Sequence, residues 1–360
     1  KHFAAYGFAE AGLEYNKADI GTATLHNIVL PPFKASVDAG IKSVMNSFNE
    51  LNGVPVTGSV YLQRELLKGK WGFDGFVISD WASIFEMVEW GYAKDKKDAA
   101  IKGIEAGSDM DMEGHVYIQE LADLVRDGIV DEALLDDAVG RILKVKFELG
   151  LFDDPYRYCD LEREKLMLGH PDHHAVALDM AKKSIVLLKN DNDLLPLKKS
   201  GLTVALIGEL AGDKSSPLGS WRIASDDDTG VSVLEGMQAY PDNELLYEKG
   251  IKVIDGPATF RRSIKVNTTD RSGLSEAINA AKRADVVVMV LGEHGFQSGE
   301  GRSRTDLDMP GLQEDMLKEV FKVNKNIVLV LNNGRRWSIS WAAENIPTIV
   351  EAGQLGRQAG

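Results

Sequence analysis

The sequence is poor in cysteine, in long apolar runs and in positive charge. Its single cysteine, Cys159, excludes an internal disulfide and a CxxC metal cluster. The longest apolar runs, such as 286–291 and 327–331, are far shorter than the roughly 20 residues of a membrane span. Lysine and arginine number 41 against 55 aspartate and glutamate, a formal net charge of −14. This balance disfavours nucleic acid and anionic membranes as partners and favours neutral ligands.

The ends of the sequence look internal to a longer protein. It opens with Lys1-His2-Phe3, without an initiator methionine or a signal peptide, and closes at Gly360 after an apolar run predicted as a strand. We therefore expect 360 residues from a longer chain. This length and a 44% share of hydrophobic residues predict two domains with real cores.

The first 150 residues alternate between strand and helix patterns, which predicts βα units around a parallel sheet. Strands are expected at 43–48, 75–79 and 108–112, and helices at 33–39, 61–68, 98–106, 118–126 and 131–149, the last capped by Gly150. Polar residues follow several of these strands, which is where barrel enzymes place their active sites. About four such units are present. We therefore predict an α/β fold that begins with the C-terminal half of a (β/α)8 TIM-like barrel, residues 1–150.

A segment rich in Asp, Pro and Tyr, 151–174, is predicted as a linker. Beyond it, 175–360 is predicted as an α/β sandwich domain, truncated at its C-terminus. Continuous apolar runs at 184–189, 203–208, 285–292, 327–332 and 347–352 are typical of strands buried on both faces of a parallel sheet. Helices at 271–283 and 312–323 separate them.

Asp80 is the first candidate for chemistry, because it follows the predicted strand 75–79 and precedes Trp81. A carboxylate at a barrel mouth can attack or stabilise an anomeric carbon, and an indole face packs on a pyranose ring. The alternative is that Asp80 is the N-cap of the following helix.

Other polar residues allow two interpretations each. Lys1 and His2 are ligands for vicinal hydroxyls or simply an exposed terminus. Asp109 and Asp111 hold a cation or, as we favour, hydrogen-bond loop backbone. The histidines lack metal-ligand spacing and are interpreted as surface residues; they are His115, His173 and His174.

A long polar loop, 292–304, follows the predicted strand 285–292, and polar loops on a rigid scaffold often carry function. Glu293 and Glu300 are its candidate general acids. The alternative for each is a loop salt bridge to Arg302 or Arg304. The glycines here and at 208–214 match neither a phosphate-binding loop nor a dinucleotide fingerprint, and we expect no metal or organic cofactor.

With these residues the chain resembles glycoside hydrolase family 3, the retaining exo-acting β-glucosidases, and in particular their bacterial periplasmic group. The matching motifs lie at 1–3, 15–16, 30–34, 38–40, 52–55, 71–81, 149–152, 184–190, 217–221, 291–306 and 332–335. They cover nearly the whole chain in the family's order. The resemblance implies a periplasmic or secreted enzyme that acts on oligosaccharides or aryl β-glucosides; the oligomeric state stays open.

The resemblance also assigns roles to single residues. Asp80 falls on the family's nucleophile and Glu300 on its acid/base, which implies double displacement with the two carboxyl groups about 5–5.5 Å apart. The residues implied in sugar binding are Lys1, His2, Met45, Phe48, Trp81, Ser220 and Trp221. Phe48 departs from the tyrosine of many relatives. The family's sugar-binding Asp and Arg belong to the barrel half that precedes this sequence, so the chain alone is expected to lack a complete site.

Three alternatives stay open. The same machinery serves a β-xylosidase or a broad exo-β-glucanase. The N-acetylglucosaminidase branch is disfavoured by the 175–360 block and by Glu300. A non-catalytic sugar-binding relative would have lost Asp80 or Glu300, and both are present.

Overall fold

The chain folds as two units. The computed structural model describes residues 1–360, except for the side chain of Asn192. The first unit comprises Lys1–Leu161 and the second Glu162–Gly360. The expected domain bounds, 150 and 175, fall on either side of this division, and the assignment of domains at those bounds stays a prediction.

The first unit alternates strands with helices. Its strands are β1 (Ser43–Met45), β2 (Glu50–Leu51), β3 (Val54–Pro55) and β4 (Phe76–Ile78). Its α-helices are α1 (Thr22–Thr24), α2 (Leu30–Asp38), α3 (Ser83–Glu89), α4 (Lys96–Ala106), α5 (Val116–Arg126) and α6 (Glu132–Glu148), with π-helical segments at Leu25–Val29 and Tyr61–Lys70. All five predicted helices are present, and Gly150 follows α6 in the left-handed conformation that favours glycine.

Four parallel strand segments lie side by side in chain order. Phe3 bridges to Asn46, β1 pairs with β4, and Ile78 bridges to Met110, each time in the parallel sense. The predicted strands are thus confirmed, although the one at 108–112 is reduced to the bridge at Met110. Four successive parallel strands with intervening helices are half of a (β/α)8 barrel, as predicted.

The barrel half contains two clusters of buried apolar side chains. Phe3, Val44 and Val77 come from the strands and pack with residues of the helix at Leu30–Asp38 and of the segment Tyr61–Lys70. A second cluster joins α3, α4 and α5. Because both clusters are apolar and contiguous, they fix the strand ends that carry the polar side chains.

A buried ion pair ties β4 to the next strand segment. The Lys68 ammonium donates to Asp109 Oδ1 at 2.6 Å, and the backbone N–H of Val77 donates to Asp109 Oδ2 at 2.7 Å. The two side chains are 5% and 1% exposed. Burial raises the pKa of Asp109 and lowers the pKa of Lys68, so for each group desolvation outweighs the attraction of its partner.

The second unit is built on a six-stranded sheet in the order β5-β12-β11-β10-β6-β7. The sheet strands are β5 (Val186–Asn190), β6 (Thr203–Ile207), β7 (Glu244–Glu248), β10 (Val286–Gly292), β11 (Ile327–Asn332) and β12 (Thr348–Glu351). Two short strands, β8 (Ile254–Asp255) and β9 (Lys265–Val266), form a separate antiparallel pair. The helices are α7 (Leu161–Met167), which spans the division between the units, α8 (Pro171–Ser184), α9 (Val233–Gln238), α10 (Leu274–Arg283), α11 (Gln313–Val323) and α12 (Ser340–Asn345).

Buried clusters lie on both faces of this sheet, which confirms the α/β sandwich. On one face, residues of α10, α11 and α12 pack against the sheet through Ala277, Met316 and Ala342. On the other face, α9 packs with the segment 194–197 and the alternate side chains of the strands. Burial on both faces explains the continuous apolar runs of β10 and β11.

Two predictions about this sheet were wrong. The run at 184–189 was expected to be a parallel strand buried on both faces, but β5 is antiparallel to β12 at the sheet edge, with Val186, Leu187 and Leu188 each about half exposed. An apolar run does not distinguish an edge strand from a central one. In addition, β7 was missed, because its five residues are polar at both ends and only partly buried.

The predicted linker also contains more helix than expected. α7 lies inside 151–174, and α8 begins within it at Pro171. His170 is the N-cap of α8, with Nδ1 accepting from the Asp172 N–H at 3.2 Å. The high content of charge and proline made this segment look irregular, although proline fits the first turn of a helix.

Lys68→Met is expected to lower the free energy of unfolding by about 3–5 kcal/mol, because it leaves the Asp109 carboxylate buried without its cation. Lys70→Met, at an exposed position of the same segment, should stay within about 0.5 kcal/mol. Urea denaturation of the full-length protein measures both. Adding Asp109→Asn to Lys68→Met should recover part of the loss, and a single variant as stable as its control would contradict this account.

Candidate functional site

Asp80 lies two residues beyond the end of β4 and is 8% exposed. Its Oδ1 accepts a hydrogen bond from the Trp81 N–H at 2.7 Å. Its Oδ2 is buried without a hydrogen-bond partner in the described part of the chain, and His2 Nε2 lies 3.5 Å away. Leaving a carboxylate oxygen buried and without a donor costs free energy, so this arrangement marks a functional candidate.

Asp80 does not cap the following helix. The N-cap of α3 is Ala82, and no side chain accepts a hydrogen bond there. The Asp80 carboxylate instead binds the N–H of the residue next to it. The capping alternative was therefore wrong, because two residues separate Asp80 from the first residue of the helix.

A buried polar network fixes the backbone behind Asp80. Asn46 Oδ1 accepts from the Asp80 N–H at 3.2 Å and from Thr57 Oγ1 at 3.2 Å. Asn46 Nδ2 donates to Ser108 Oγ at 3.0 Å and to Gln63 Oε1 at 3.3 Å. The sequence predicted polar residues at the strand ends but not these partners of Asn46, because they come from separate loops and a helix.

Lys1, His2 and Met45 lie at the ends of the first two strand segments, where the Phe3 N–H donates to the Met45 carbonyl. Burial lowers the pKa of His2, the Asp80 charge raises it, and Lys1 lowers it further. This lowered pKa favours the neutral imidazole, in which one ring nitrogen donates a hydrogen bond and the other accepts one.

An aromatic cluster extends from His2 along this end of the unit. The His2 ring lies 5.5 Å from Tyr6, and Phe48 packs edge-on against Tyr15 at 4.8 Å. Tyr6 also lies 6.2 Å from Phe48, which joins the two pairs. Trp81 is 61% exposed, so its indole face is available to a ligand.

In the second unit, the loop after β10 is anchored by Glu293. Its side chain is fully buried and contacts Arg304 Nη1 at 3.1 Å and Arg335 Nε at 3.0 Å through Oε1. Arg335 Nη2 also donates to the Arg302 carbonyl at 2.8 Å. Glu293 was one of the two candidate general acids. That interpretation was wrong, because a carboxylate enclosed by two guanidinium groups is a structural anchor; its salt bridge to Arg304 is the alternative that was left open.

Glu300 lies on a turn of this loop and is partly buried. The preceding Gly299 has φ +100, and a Cβ there would collide with Ser220 Oγ. Ser220 therefore lies against the turn that carries Glu300. Trp221, next to it, is 66% exposed and packs edge-on against Phe260 at 5.4 Å.

The strand order explains why these loops meet. The parallel strands run β7-β6-β10-β11-β12, so the chain reverses direction across the sheet between β6 and β10. Loops that leave the carboxyl ends of two such strands enclose a crevice at this switch point. The loop after β6 leads to Ser220 and Trp221, and the loop after β10 carries Glu293 and Glu300.

The remaining candidates have structural roles. Asp111 Oδ2 accepts from the N–H groups of Val116 and Tyr117 at 2.7 and 3.2 Å, and Asp109 binds the Val77 N–H, so the backbone-bonding interpretation of this pair is confirmed. His115 and His173 are exposed, whereas His174 is partly buried and contacts Gln358.

Among the described residues, no group of three or more potential ligands is placed to hold a metal ion. None of the described helices is long and apolar enough to cross a bilayer.

The chain matches both domain families of one class of carbohydrate-cleaving enzymes. The glycosyl hydrolase family 3 N terminal domain matches residues 1–145, and the family 3 C-terminal domain matches residues 185–360. The chain belongs to glycosyl hydrolase family 3.

Among curated proteins, the chain is similar to a periplasmic beta-glucosidase of Salmonella typhimurium, 37% identical over 100% of the chain and 48% of the relative. It is also similar to a beta-xylosidase of Formosa agariphila, 34% identical over 100% of the chain and 50% of the relative. The chain thus spans about half the length of the curated relatives it matches.

Among solved structures, the chain is similar to a beta-glucosidase from Listeria innocua in complex with isofagomine. The TM-score is 0.90 and the identity 35%, over 100% of the chain and 48% of that structure. The same enzyme is also known in complex with glucose, and a mutant of it in complex with laminaribiose.

Glu293→Gln is expected to loosen the loop 293–304, because the partly buried Arg304 and Arg335 lose the buried negative charge that holds them. The melting temperature should fall, and trypsin should cleave after Arg302 or Arg304 faster than in the wild type. Glu344→Gln, at an exposed position of the same unit, is the control and should change neither. Unchanged cleavage of the loop in Glu293→Gln would contradict the anchoring role.

Proposed function

We propose that the full-length protein containing this chain is a retaining, exo-acting β-glucosidase that removes terminal β-D-glucosyl residues. Asp80 is the nucleophile and Glu300 the acid/base. The observation that carries the proposal is the Asp80 carboxylate: one oxygen is held by a backbone N–H, and the other is buried without a hydrogen-bond partner in the part of the chain that is described, 3.5 Å from His2 Nε2. Membership of a glycosyl hydrolase family and similarity to beta-glucosidases support it.

In the first step, the Asp80 carboxylate attacks the anomeric carbon. The bond from that carbon to the leaving oxygen breaks, its electron pair goes to the oxygen, and Glu300 supplies the proton. The Trp81 N–H orients the attacking carboxylate, and the network around Asn46 holds the strand end from which it projects. Such fixed positioning is where much of the rate enhancement arises.

In the second step, water attacks the glucosyl-enzyme and gives a proton to Glu300, while the electron pair of the glycosyl ester returns to Asp80. The chemistry requires the two carboxyl groups to come within about 5–5.5 Å of each other. The rigid anchoring of the Glu300 loop by Glu293 suits this requirement, because the acid must return to the same position for each step.

The sugar itself is bound by groups around Asp80. Lys1 donates hydrogen bonds to its hydroxyls, and the neutral His2 donates or accepts, while Met45 and Phe48 supply apolar contacts. A second group consists of Trp81, Ser220 and Trp221, with two exposed indoles that suit the apolar faces of sugar rings. The substrate class is thus a neutral oligosaccharide or aryl β-glucoside. By similarity to the Salmonella relative, we propose a periplasmic or secreted location.

A β-xylosidase is the second candidate, because a named beta-xylosidase is 34% identical to the chain. The same two carboxyl groups would serve it, and selectivity would depend on whether the site accepts the hydroxymethyl group that xylose lacks. Comparing kcat/KM for 4-nitrophenyl β-glucoside and β-xyloside separates the two. A non-catalytic sugar-binding protein would cleave neither.

A 2-deoxy-2-fluoro-β-glucoside with a good leaving group is expected to label Asp80 covalently. The fluorine slows both formation and hydrolysis of the glycosyl-enzyme, and the good leaving group speeds up only its formation, so the intermediate accumulates. Peptide mapping by mass spectrometry identifies the site. Asp80→Asn should take no label, and Asp123→Asn, exposed on α5, should be labelled like the wild type. A label on another carboxylate, or turnover without any label, would overturn the assignment.

Glu300→Gln is expected to lower kcat/KM by about 10²–10⁴-fold for substrates with poor leaving groups, and far less for 2,4-dinitrophenyl β-glucoside, which needs no protonation. Azide should restore its turnover and give β-glucosyl azide, because azide replaces water without a base. Glu344→Gln is the control. Equal losses on both leaving groups, without azide rescue, would exclude Glu300 as the acid/base.

A further inference from the structure

A cleft in the first unit lies beside α3, the helix that begins three residues after Asp80. Its volume is about 430 Å³, and it is lined by Tyr15, Glu86, Glu89 and Trp90. Two of these residues are aromatic and two are acidic, the combination that binds a hydroxylated ring: an apolar face for stacking and acceptors for hydroxyl groups.

Glu86 is the unexplained group in this cleft. Its side chain is partly buried, and within the described part of the chain no hydrogen-bond donor or cation contacts its carboxylate. Burial raises the pKa of Glu86, and the negative charges of Asp80 and Glu89 raise it further. A partly buried carboxylate among like charges is costly, unlike the acidic residues of the fold that have a cationic partner, such as Asp109 and Glu293.

Two structural connections link the cleft to the proposed nucleophile, one through α3 and one through the aromatic cluster. Asp80 lies three residues before the first residue of α3, and Glu86 lies within that helix. The aromatic cluster that starts at His2, beside Asp80, ends at Tyr15, which lines the cleft. Both connections lead from Asp80 to residues that line the cleft.

We propose that Glu86 accepts hydrogen bonds from the hydroxyl groups of the leaving-group sugar and so selects disaccharides over aryl glucosides. This inference rests on the proposed function, since it assumes cleavage at Asp80. The leaving sugar is neutral and rich in donors, which meets the need of a carboxylate that has no donor of its own. A nitrophenyl leaving group stacks on Trp90 or Tyr15 as well as a sugar does, but offers Glu86 no hydroxyl.

The test compares kcat/KM for laminaribiose and for 4-nitrophenyl β-glucoside in the full-length protein. Both values report on events up to cleavage of the glycosidic bond, so their ratio isolates the leaving group. Glu86→Met keeps the volume but cannot accept a hydrogen bond of this kind, and it should lower the ratio of laminaribiose to aryl glucoside roughly 10–100-fold. Glu86→Gln, which keeps a carbonyl acceptor, should lower it several-fold.

Glu65→Gln, at an exposed position of the segment Tyr61–Lys70, is the matched control and should leave the ratio unchanged. Equal losses on both substrates in Glu86→Met would make Glu86 a structural residue and overturn the inference, as would an unchanged ratio. Labelling of Asp80 by the fluoroglucoside separates this failure from failure of the proposed function. A labelled Asp80 with an unchanged ratio rejects only the role of Glu86, whereas an unlabelled Asp80 rejects both.

Discussion

The constraint that orders this structure is that a buried carboxylate needs a compensating group. Asp109 has Lys68 and a backbone N–H, and Glu293 has Arg304 and Arg335. In both, the compensation stabilises a connection between elements: one joins two strand segments, the other ties down a loop. Asp80 is different: like Asp111, it has one oxygen buried without a hydrogen-bond partner among the described residues, and in Asp80 that oxygen lies 3.5 Å from His2 Nε2. The cost of that oxygen is tolerated where the surrounding fold is strongly determined.

In both units, the carboxyl ends of parallel strands bring polar groups together. In the barrel half, four parallel strand segments end at one edge, and Asn46 and Asp80 follow two neighbouring segments. In the sandwich, the loops after β6 and β10 leave the sheet at its switch point and bring Ser220 against the turn of Glu300. Parallel strands place all their carboxyl ends on one side, so residues distant in sequence become neighbours.

The sequence predicted most of this arrangement, for physical reasons that also explain the failures. Strand and helix periodicity located Asp80 at a strand end and Glu300 on a polar loop. Periodicity carries no information about sheet edges, so the antiparallel β5 was mistaken for a central strand. It also carries no information about partners far apart in the chain. Periodicity and loop position alone therefore made Glu293 and Glu300 equivalent candidates, and only the structure shows that Arg335, 42 residues away, contacts Glu293.

The same reasoning distinguishes acidic residues that have a partner within the fold from Glu86, which has none in the described part of the chain. A carboxylate whose partner lies within the fold already accepts hydrogen bonds that stabilise the protein. Glu86 does not, and the cleft it faces is bounded by aromatic rings rather than by basic side chains. A ligand that carries hydrogen-bond donors would compensate for its charge. With Asp80 as the proposed nucleophile, the departing sugar is such a ligand, because it carries several hydroxyl groups, and the proposed selectivity for the leaving group then follows from the charge of Glu86 on α3.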